Sequence, residues 1–597
     1  MLKFLRFVKV LCVLACALFT LAARAGETPR SIAWQRQWNP ALFARAAREH
    51  RFVLLDLHAV WCHWCHVMDD ETYADASVVA LIGARYLPVS VDADSDPALS
   101  SRYGEWGWPA TIVLASDGTE IVKRRGFIPP RQMASLLQAI IDDPSPGPSV
   151  ARATLRPAAG ATLLGEAQRD ALRRTYDEAY DAKYGGWGSG QKFIDAATLE
   201  YTLTLVLEER SALAERRARQ TLDANLRLID PVFGGVFQYS ATPDWNSPHY
   251  EKLLSFQADD LRIYSEAYAR WHDPRYLAAA LALHRYMDAL LRSSQGAFYV
   301  SQDADVSASV TGQDYYPRDE AQRARLGMPK VDTHRYAREN GWAIRALCAL
   351  HDATANAEAL DEAERAALWV MANRSLPGGG FRHDQDGGGP YLDDTVSMGQ
   401  AFLALYRSSG ERRWLSFARA SMDYIVRTFQ DGRGGFIAAP APAGASGVFR
   451  DPSRSTEQNA AVVRFANLLQ HYSGEARYRK AALHAMKFLA GAESAGELRM
   501  DVLLADRELQ TAPIHITVVG AKGDPLAQAL HAAALQFPAS YLQVDWWDRA
   551  EGPLPDPTVQ YPSLARAAAF ACTGSSCSLP VFDAQGVGRT VTAALYQ

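Results

Sequence analysis

The chain has 597 residues, 48% of them hydrophobic, with 62 Lys and Arg against 67 Asp and Glu for a formal net charge of −5. That length is too great for one ordinary hydrophobic core and predicts several domains. The near balance of charge excludes the basic excess on which nucleic-acid binding depends, so no nucleic-acid partner is expected.

The first residues stand apart. "MLKFLRFVKV" carries three Lys or Arg, "LCVLACALFTLA" is apolar but too short to span a bilayer, and "ARA" places small residues before Gly26. Residues 1–25 read as a secretory signal peptide cleaved after Ala25. A periplasmic or secreted protein with no membrane span after cleavage is expected, in a disulfide-permissive compartment. Five of the seven cysteines then remain: Cys62, Cys65, Cys348, Cys572 and Cys577. Cys348, in the helical pattern "GWAIRALCAL", reads as a buried inert thiol.

Residues 26–145 begin with a buried strand, "RFVLLDLHAV", that runs into "WCHWC" and then a helical stretch, "VMDDETYADASVVALI". Cys62 is thereby placed at a helix N-terminus, where unpaired N–H groups favour a thiolate. A strand at "YLPVSVDAD", a "GWP" turn, a strand pair in "TIVLASDGTEIVKRRG" and a helix at "PRQMASLLQAII" follow. This order, with a CxxC after a strand and a proline opening a later one, resembles the thioredoxin fold. The resemblance implies that Asp56 is a buried carboxylate assisting proton transfer and that Pro109 is a cis-proline facing the cysteines. It makes Cys62 the nucleophile and Cys65 the resolving thiol, with His63 helping to stabilise the Cys62 thiolate. Two other readings compete. Zinc could use His63 and His66 beside the cysteines, but no distant second ligand pair is evident, and no metal or cofactor is assigned. Alternatively the fold is a binding platform without turnover.

Beyond "DDPSPGPSVARATLRPAAG" the chain turns helical and repetitive. "WHDPRYLAAALAL", "SGERRWLSFARAS" and "SGEARYRKAALHA" each place Arg and an aromatic residue after a polar turn and before an alanine-rich helix. Glycine-aromatic signals recur at Trp187, Phe237, Phe298, Phe381 and Phe436, predicting helical hairpins closed by glycine turns. About eleven helices between Gly165 and Gly491 suit a six-hairpin α/α toroid over residues 160–495 with one helix unaccounted for; an open solenoid is the alternative. Long connections at 238–254, 299–334, 382–391 and 437–454 predict a binding face. Its candidate residues are Tyr239, Asp244, Trp245, His249, Glu251, Asp303, Asp305, Asp393 and Asp394. Carboxylates interleaved with aromatics suit a carbohydrate cleft, although Asp393 and Asp394 also precede a helix they could simply cap.

Residues 496–597 read strand, helix, strand, then a further strand holding Cys572 and Cys577, a small α/β unit packed on the toroid. Those two cysteines are expected to form a local disulfide. The fold class is therefore multidomain: an α/β thioredoxin-like domain, an all-α toroid and a C-terminal α/β unit.

On "WCHWCHVM", "GWPATIVL", "YGGWGSGQKF", "FGGVFQYS", "PHYEKLL", "GAFYVSQDAD", "YLDD" and "AFACTGSSCSLP", the chain resembles the spermatogenesis-associated thioredoxin-domain family. The resemblance implies a thioredoxin-like domain joined to a toroid like those of six-hairpin glycosidases and the N-acylglucosamine 2-epimerase group, and favours toroid over solenoid. Two departures stand out: Val306 and Ser307 follow "DAD" where the family has serine-glutamate, and "SFQADDL" follows "PHYEKLL" where an asparagine is usual. The expected function is thiol–disulfide exchange with a protein partner, the toroid binding that partner or a carbohydrate. The alternatives are a carbohydrate-active toroid, hydrolase or epimerase, and a non-enzymatic scaffold.

Overall fold

The computed structural model describes residues 31–596, except 151–160, 386–387, 446, 492–495, 557–559 and 574–575; the predicted signal peptide lies outside the described residues. Among those residues no helix is long and apolar enough to cross a membrane.

The N-terminal domain is built on a four-stranded sheet in the order Tyr86–Asp92, Phe52–His58, Ala110–Leu114, Glu120–Arg125. The first pair is parallel and the others antiparallel. Phe52–His58 is nearly continuously apolar because both its faces are covered: Val53, Leu55 and Leu57 enter one core cluster and Leu54 another. The single helix expected after the cysteines is broken. His63–Val67 is followed by a π turn at Met68–Thr72, and Asp75 then caps Ala76–Arg85 by accepting from the Ser77 and Val78 N–H groups. A side chain that satisfies backbone donors locally ends one helix and starts the next.

The helical region closes into a ring. Its inner helices, Ala196–Glu208, Leu254–Trp271, Ala337–Thr354, Leu392–Ser409, Thr456–Ser473 and Met500–Gln510, each pack on the next, and the last returns to the first. Six outer helices pair with them, beginning with Glu166–Glu178 on Met500–Gln510. The closure rules out an open solenoid. Met500–Gln510 is the helix the sequence leaves unaccounted for, and it lies in the stretch assigned above to the C-terminal unit.

Each glycine-aromatic signal closes an outer helix through a short β-bridge or strand pair: Tyr180 with Trp187, Ile229 with Val236, Arg292 with Phe298, Ser375 with Phe381, Gln430 with Phe436. The next inner helix clamps this segment from inside. Asn340 accepts from Phe298 N–H (2.8 Å) and donates to its carbonyl (3.1 Å), and Asn459 does the same for Phe436 (2.7 and 3.0 Å). Gln257 makes both bonds to Val236 (2.7 Å each). In "SFQADDL" the clamping amide is therefore Gln257.

The inner helices Ala337–Thr354 and Leu392–Ser409 meet closely at Gly341, where a Cβ would lie 2.7 Å from the Ser397 carbonyl carbon and 2.9 Å from its oxygen. Neighbouring backbone cannot yield to it. Gly341→Ala is expected to cost about 1–3 kcal/mol of stability; an unchanged urea midpoint would contradict this packing.

The C-terminal unit repeats the topology of the first domain. Its sheet runs Leu542–Trp547, Ile514–Val519, Ala568–Thr573, Ser576–Cys577, again one parallel pair followed by antiparallel ones. Helices Pro525–Leu535 and Ala584–Leu595 complete it, the latter not anticipated from sequence. Where the first domain has its cysteine pair, this unit has only a turn and Asp524 as a helix cap. Cys572 and Cys577 face each other across its hairpin and are disulfide-bonded. The unit covers the short-turn end of the toroid: Tyr406 donates to Asp545 (2.9 Å), and Lys522 to the Gly410 carbonyl (2.8 Å). Inside that end Arg262 and Arg464 are ion-paired with Glu200, and Arg464 also with Glu508.

Candidate functional site at the domain interface

Cys62 caps the helix His63–Val67, and its Sγ accepts a hydrogen bond from the Cys65 N–H (3.2 Å). The two sulfurs are joined in a disulfide. Asp56, on the strand leading to them, is 2% exposed and accepts from Tyr73 and Ser90 (3.1 Å each). Burial pushes its carboxyl up to about 6, the two hydroxyls offsetting only part of the effect. The Trp108–Pro109 peptide bond is cis, and Pro109 leads directly into the strand Ala110–Leu114.

The cysteines do not face solvent. Cys62 and Cys65 are 4% and 3% exposed, packed with Trp61 and Trp108 against Leu253 and Phe256 of the toroid. All four long connections meet the N-terminal domain. His63 Nδ1 donates to Asp305 (2.7 Å), and His66 lies 3.9 Å from Asp303. His383 donates to the Asp94 carbonyl (2.6 Å), Arg102 to the Asp451 carbonyl (2.5 Å), and Phe449 packs edge-on against Phe43. The face predicted to bind a ligand is thus largely occupied by the chain's own first domain.

Among the described residues that face keeps a cavity of about 390 Å³, lined by Trp38, Arg102, Tyr391 and Phe449 among others, and a smaller one of about 300 Å³ lined by His63, Trp64, His249, Tyr250, Glu251 and Asp305, among others. Five of the predicted toroid residues come together at or beside the smaller one. His249 stacks on Tyr239 (ring centroids 4.2 Å apart) in the hairpin that also presents Glu251, and Asp303 and Asp305 come from the next long connection. Burial raises Glu251 to about 7, and burial likewise raises Asp303. Burial acts the same way on Asp305, but the hydrogen bonds from His63 and the Gly312 N–H outweigh it and hold that carboxyl low. The hydrogen bond to Asp305 in turn raises His63, against the effect of burial.

A buried ion cluster fixes this hairpin. Asp230 receives a two-bond fork from Arg323 (2.7 and 2.9 Å) and a bond from Lys252 (2.8 Å), with all three residues buried. Burial depresses Lys252 to about 8 despite that partner.

Other candidates fall elsewhere. Trp245 is 1% exposed, donates to the Tyr184 carbonyl (3.1 Å) and fills the space above Gly186; it is core, not a sugar platform. Asp244 holds its own turn, accepting from Thr242 Oγ1 and Asn246. Asp393 and Asp394 begin the helix Leu392–Ser409 but belong to a second network. Asp394 accepts from the Arg338 N–H (2.9 Å) and from His383 (2.8 Å), and Asp393 lies 3.6 Å from Arg338. Both nitrogens of His383 face oxygen acceptors, an arrangement that favours the protonated ring; burial opposes this, but the Asp394 charge and hydrogen bond outweigh it and raise the imidazole. Asp94 also accepts from the Trp61 indole (2.7 Å), which links the residue before Cys62 to the toroid. Asp92, Asp94, Arg338, Glu339 and His383 escaped the sequence reading, although "VDADSD" repeats the Asp-Ala-Asp of "SQDAD".

Residues 25–142 match a family model, Thioredox_DsbH, described as a protein of unknown function, DUF255. Spermatogenesis-associated protein 20 of Mus musculus is 25% identical over 302 residues, 45% of this chain and 38% of the mouse protein. The match thus spans about two fifths of that relative's length. Thiol:disulfide interchange protein DsbD 2 of Pseudomonas aeruginosa is 36% identical over 85 residues, 14% of each chain. Among solved structures, a D-mannose isomerase overlays on 58% of this chain and 96% of its own at 14% identity, with a TM-score of 0.46. The resemblance to the spermatogenesis-associated family holds in both sequence and architecture, a thioredoxin-like domain followed by a six-pair helical toroid.

Proposed function

We propose that this protein is an exported thiol–disulfide oxidoreductase whose Cys62–Cys65 couple exchanges with a thiol or disulfide of a protein partner. One observation carries the reading: the cysteine pair sits at the start of a helix that follows a strand whose buried Asp56 is pushed up to about 6. A carboxylate with that affinity accepts a proton from an attacking thiol at neutral pH and returns it to a leaving thiolate. The toroid acts as the selectivity element, since Leu253 and Phe256 leave the sulfurs little open surface. Equilibrating the protein in glutathione buffers across about −180 to −300 mV, then alkylating free thiols, tests the proposal. Interconversion of Cys62–Cys65 within that window is expected, and a pair that remains fixed throughout sinks it.

A second reading has its own observation. Glu251, raised to about 7 in a cavity shared with Trp64, Tyr250 and His249, is suited to donate a proton to a glycosidic or hemiacetal oxygen. On that view the toroid is carbohydrate-active. A glycan screen in which binding is lost with Glu251→Gln supports it; a blank screen removes it.

A further inference from the structure

We propose that the interface between the two domains holds a divalent transition-metal ion, ligated by His66 of the CxxC helix together with Asp303 and Asp305 of the toroid. One ring nitrogen of His66 and one oxygen from each aspartate all lie within 4.8 Å of one another. Metal–nitrogen and metal–oxygen bonds of about 2.0–2.2 Å set ligands roughly 3–4 Å apart, so the donors must close by about an ångström, with His66 turning from the Val60 carbonyl (3.0 Å) and Asp305 sharing an oxygen now bonded to His63 or the Gly312 N–H. The donors come from two rigid elements. His63 and His66 are three residues apart on one helical face, and the Asp-x-Asp segment leaves the strand Ser301–Gln302. The sequence offered histidines without a second ligand pair; the fold supplies the pair from more than two hundred residues away.

A separate observation is an unsatisfied carboxyl oxygen in the cavity that Asp305 also lines. Glu251 is 3% exposed and lines the same cavity as His63 and Asp305, yet among the described residues its Oε2 has no hydrogen-bond partner. The basic group beside it, His249 Nδ1, is 3.8 Å away, beyond hydrogen-bond reach. A buried carboxyl oxygen left without a donor is costly unless it carries a proton or a cation or cation-bound water faces it. His66 and the two aspartates are each partly exposed, so an ion can enter without unfolding.

Imidazole with carboxylates favours Zn²⁺, Mn²⁺ or Fe²⁺ over Ca²⁺, which takes oxygen donors alone. Bound there, the ion ties the first domain to the toroid across the very contact that covers the cysteines. No thiolate is needed, which separates this site from a zinc–cysteine one.

The test uses the full-length, chelator-stripped protein in its oxidised form, so that Cys62 and Cys65 cannot ligate. Equilibrium dialysis with Zn²⁺ is expected to show one equivalent bound. Affinity should fall at least about tenfold in His66→Asn and in Asp305→Asn, and remain unchanged in a Cys62→Ser, Cys65→Ser double variant. Co²⁺ in the wild-type protein should give visible bands without thiolate charge transfer, a readout that stands if a variant misfolds. Absence of stoichiometric uptake by the wild-type chain overturns the proposal, as does full binding in a folded His66→Asn, Asp303→Asn protein. Displacement of Zn²⁺ by modest excess Mg²⁺ overturns the transition-metal assignment.

Discussion

Asp56→Asn should slow thiol–disulfide exchange roughly a hundredfold at pH 7.5 while making the protein more stable. The kinetic half follows from base strength. Asp56 takes up its proton near pH 6, so at pH 7.5 the wild-type carboxylate is free to accept one, and a positioned base contributes about 10²–10⁴ in rate. The wild-type rate should rise through pH 6 and the variant's profile should lack that step. The stability half follows from linkage. Burial moves Asp56 from 3.8 to about 6, so the folded chain holds the proton more tightly than the unfolded one. Ionisation therefore costs nothing below pH 3.8, an increasing amount as pH rises towards 6, and a constant amount above it. A rise of that size corresponds to about 3 kcal/mol. Asn keeps an acceptor for Tyr73 and Ser90 without the charge. The melting gap between variant and parent should widen from pH 4 to pH 8; a gap independent of pH would show that burial does not penalise the charged carboxylate.

Asp230→Ala is the substitution expected to damage the fold most. It leaves Arg323 and Lys252, both buried, facing each other with no carboxylate between them. Removing one partner of a buried charge cluster costs about 3–5 kcal/mol. The aromatic rings of Tyr286, Tyr316 and Phe237, 4.5 to 5.3 Å from Lys252, ease the loss without replacing the anion. Lys252, already depressed to about 8 by burial, would shed its proton at neutral pH. The adjacent Glu251 hairpin should then loosen, so amide exchange at 249–254 is expected to accelerate alongside a lower urea midpoint. Asp230→Asn, which keeps an acceptor oxygen, should fall between the two. Equal stability of the parent and Asp230→Ala would mean the cluster is only ornamental to the fold.

The legible parts of this chain were those encoded locally. A continuous apolar run ending in CxxC specifies a buried strand turning into a helix, and glycine before an aromatic specifies the close of a hairpin, whatever lies elsewhere. Met500–Gln510 went unplaced because no glycine-aromatic signal marks it. Trp245 misled because composition cannot tell a ring offered to a ligand from one buried over a glycine. The ion pairs joining His63 to Asp305 and His383 to Asp394 were hidden for a different reason. The first spans 242 positions, and no periodicity reports which loop of a ring will meet which helix of another domain.

The seating of the first domain on the long-loop face has a consequence for biosynthesis. Domains fold in the order they leave the ribosome. The thioredoxin-like domain is complete by Asp142, whereas the segment that covers its cysteines, Glu251 through Leu253 to Phe256, arrives later. A nascent chain therefore passes through a period in which Cys62 and Cys65 are open to any oxidant or thiol, and that period ends only when the toroid is assembled. Exchange with small thiols should therefore be faster in that interval than in the finished protein, where Leu253 and Phe256 restrict access to the pair.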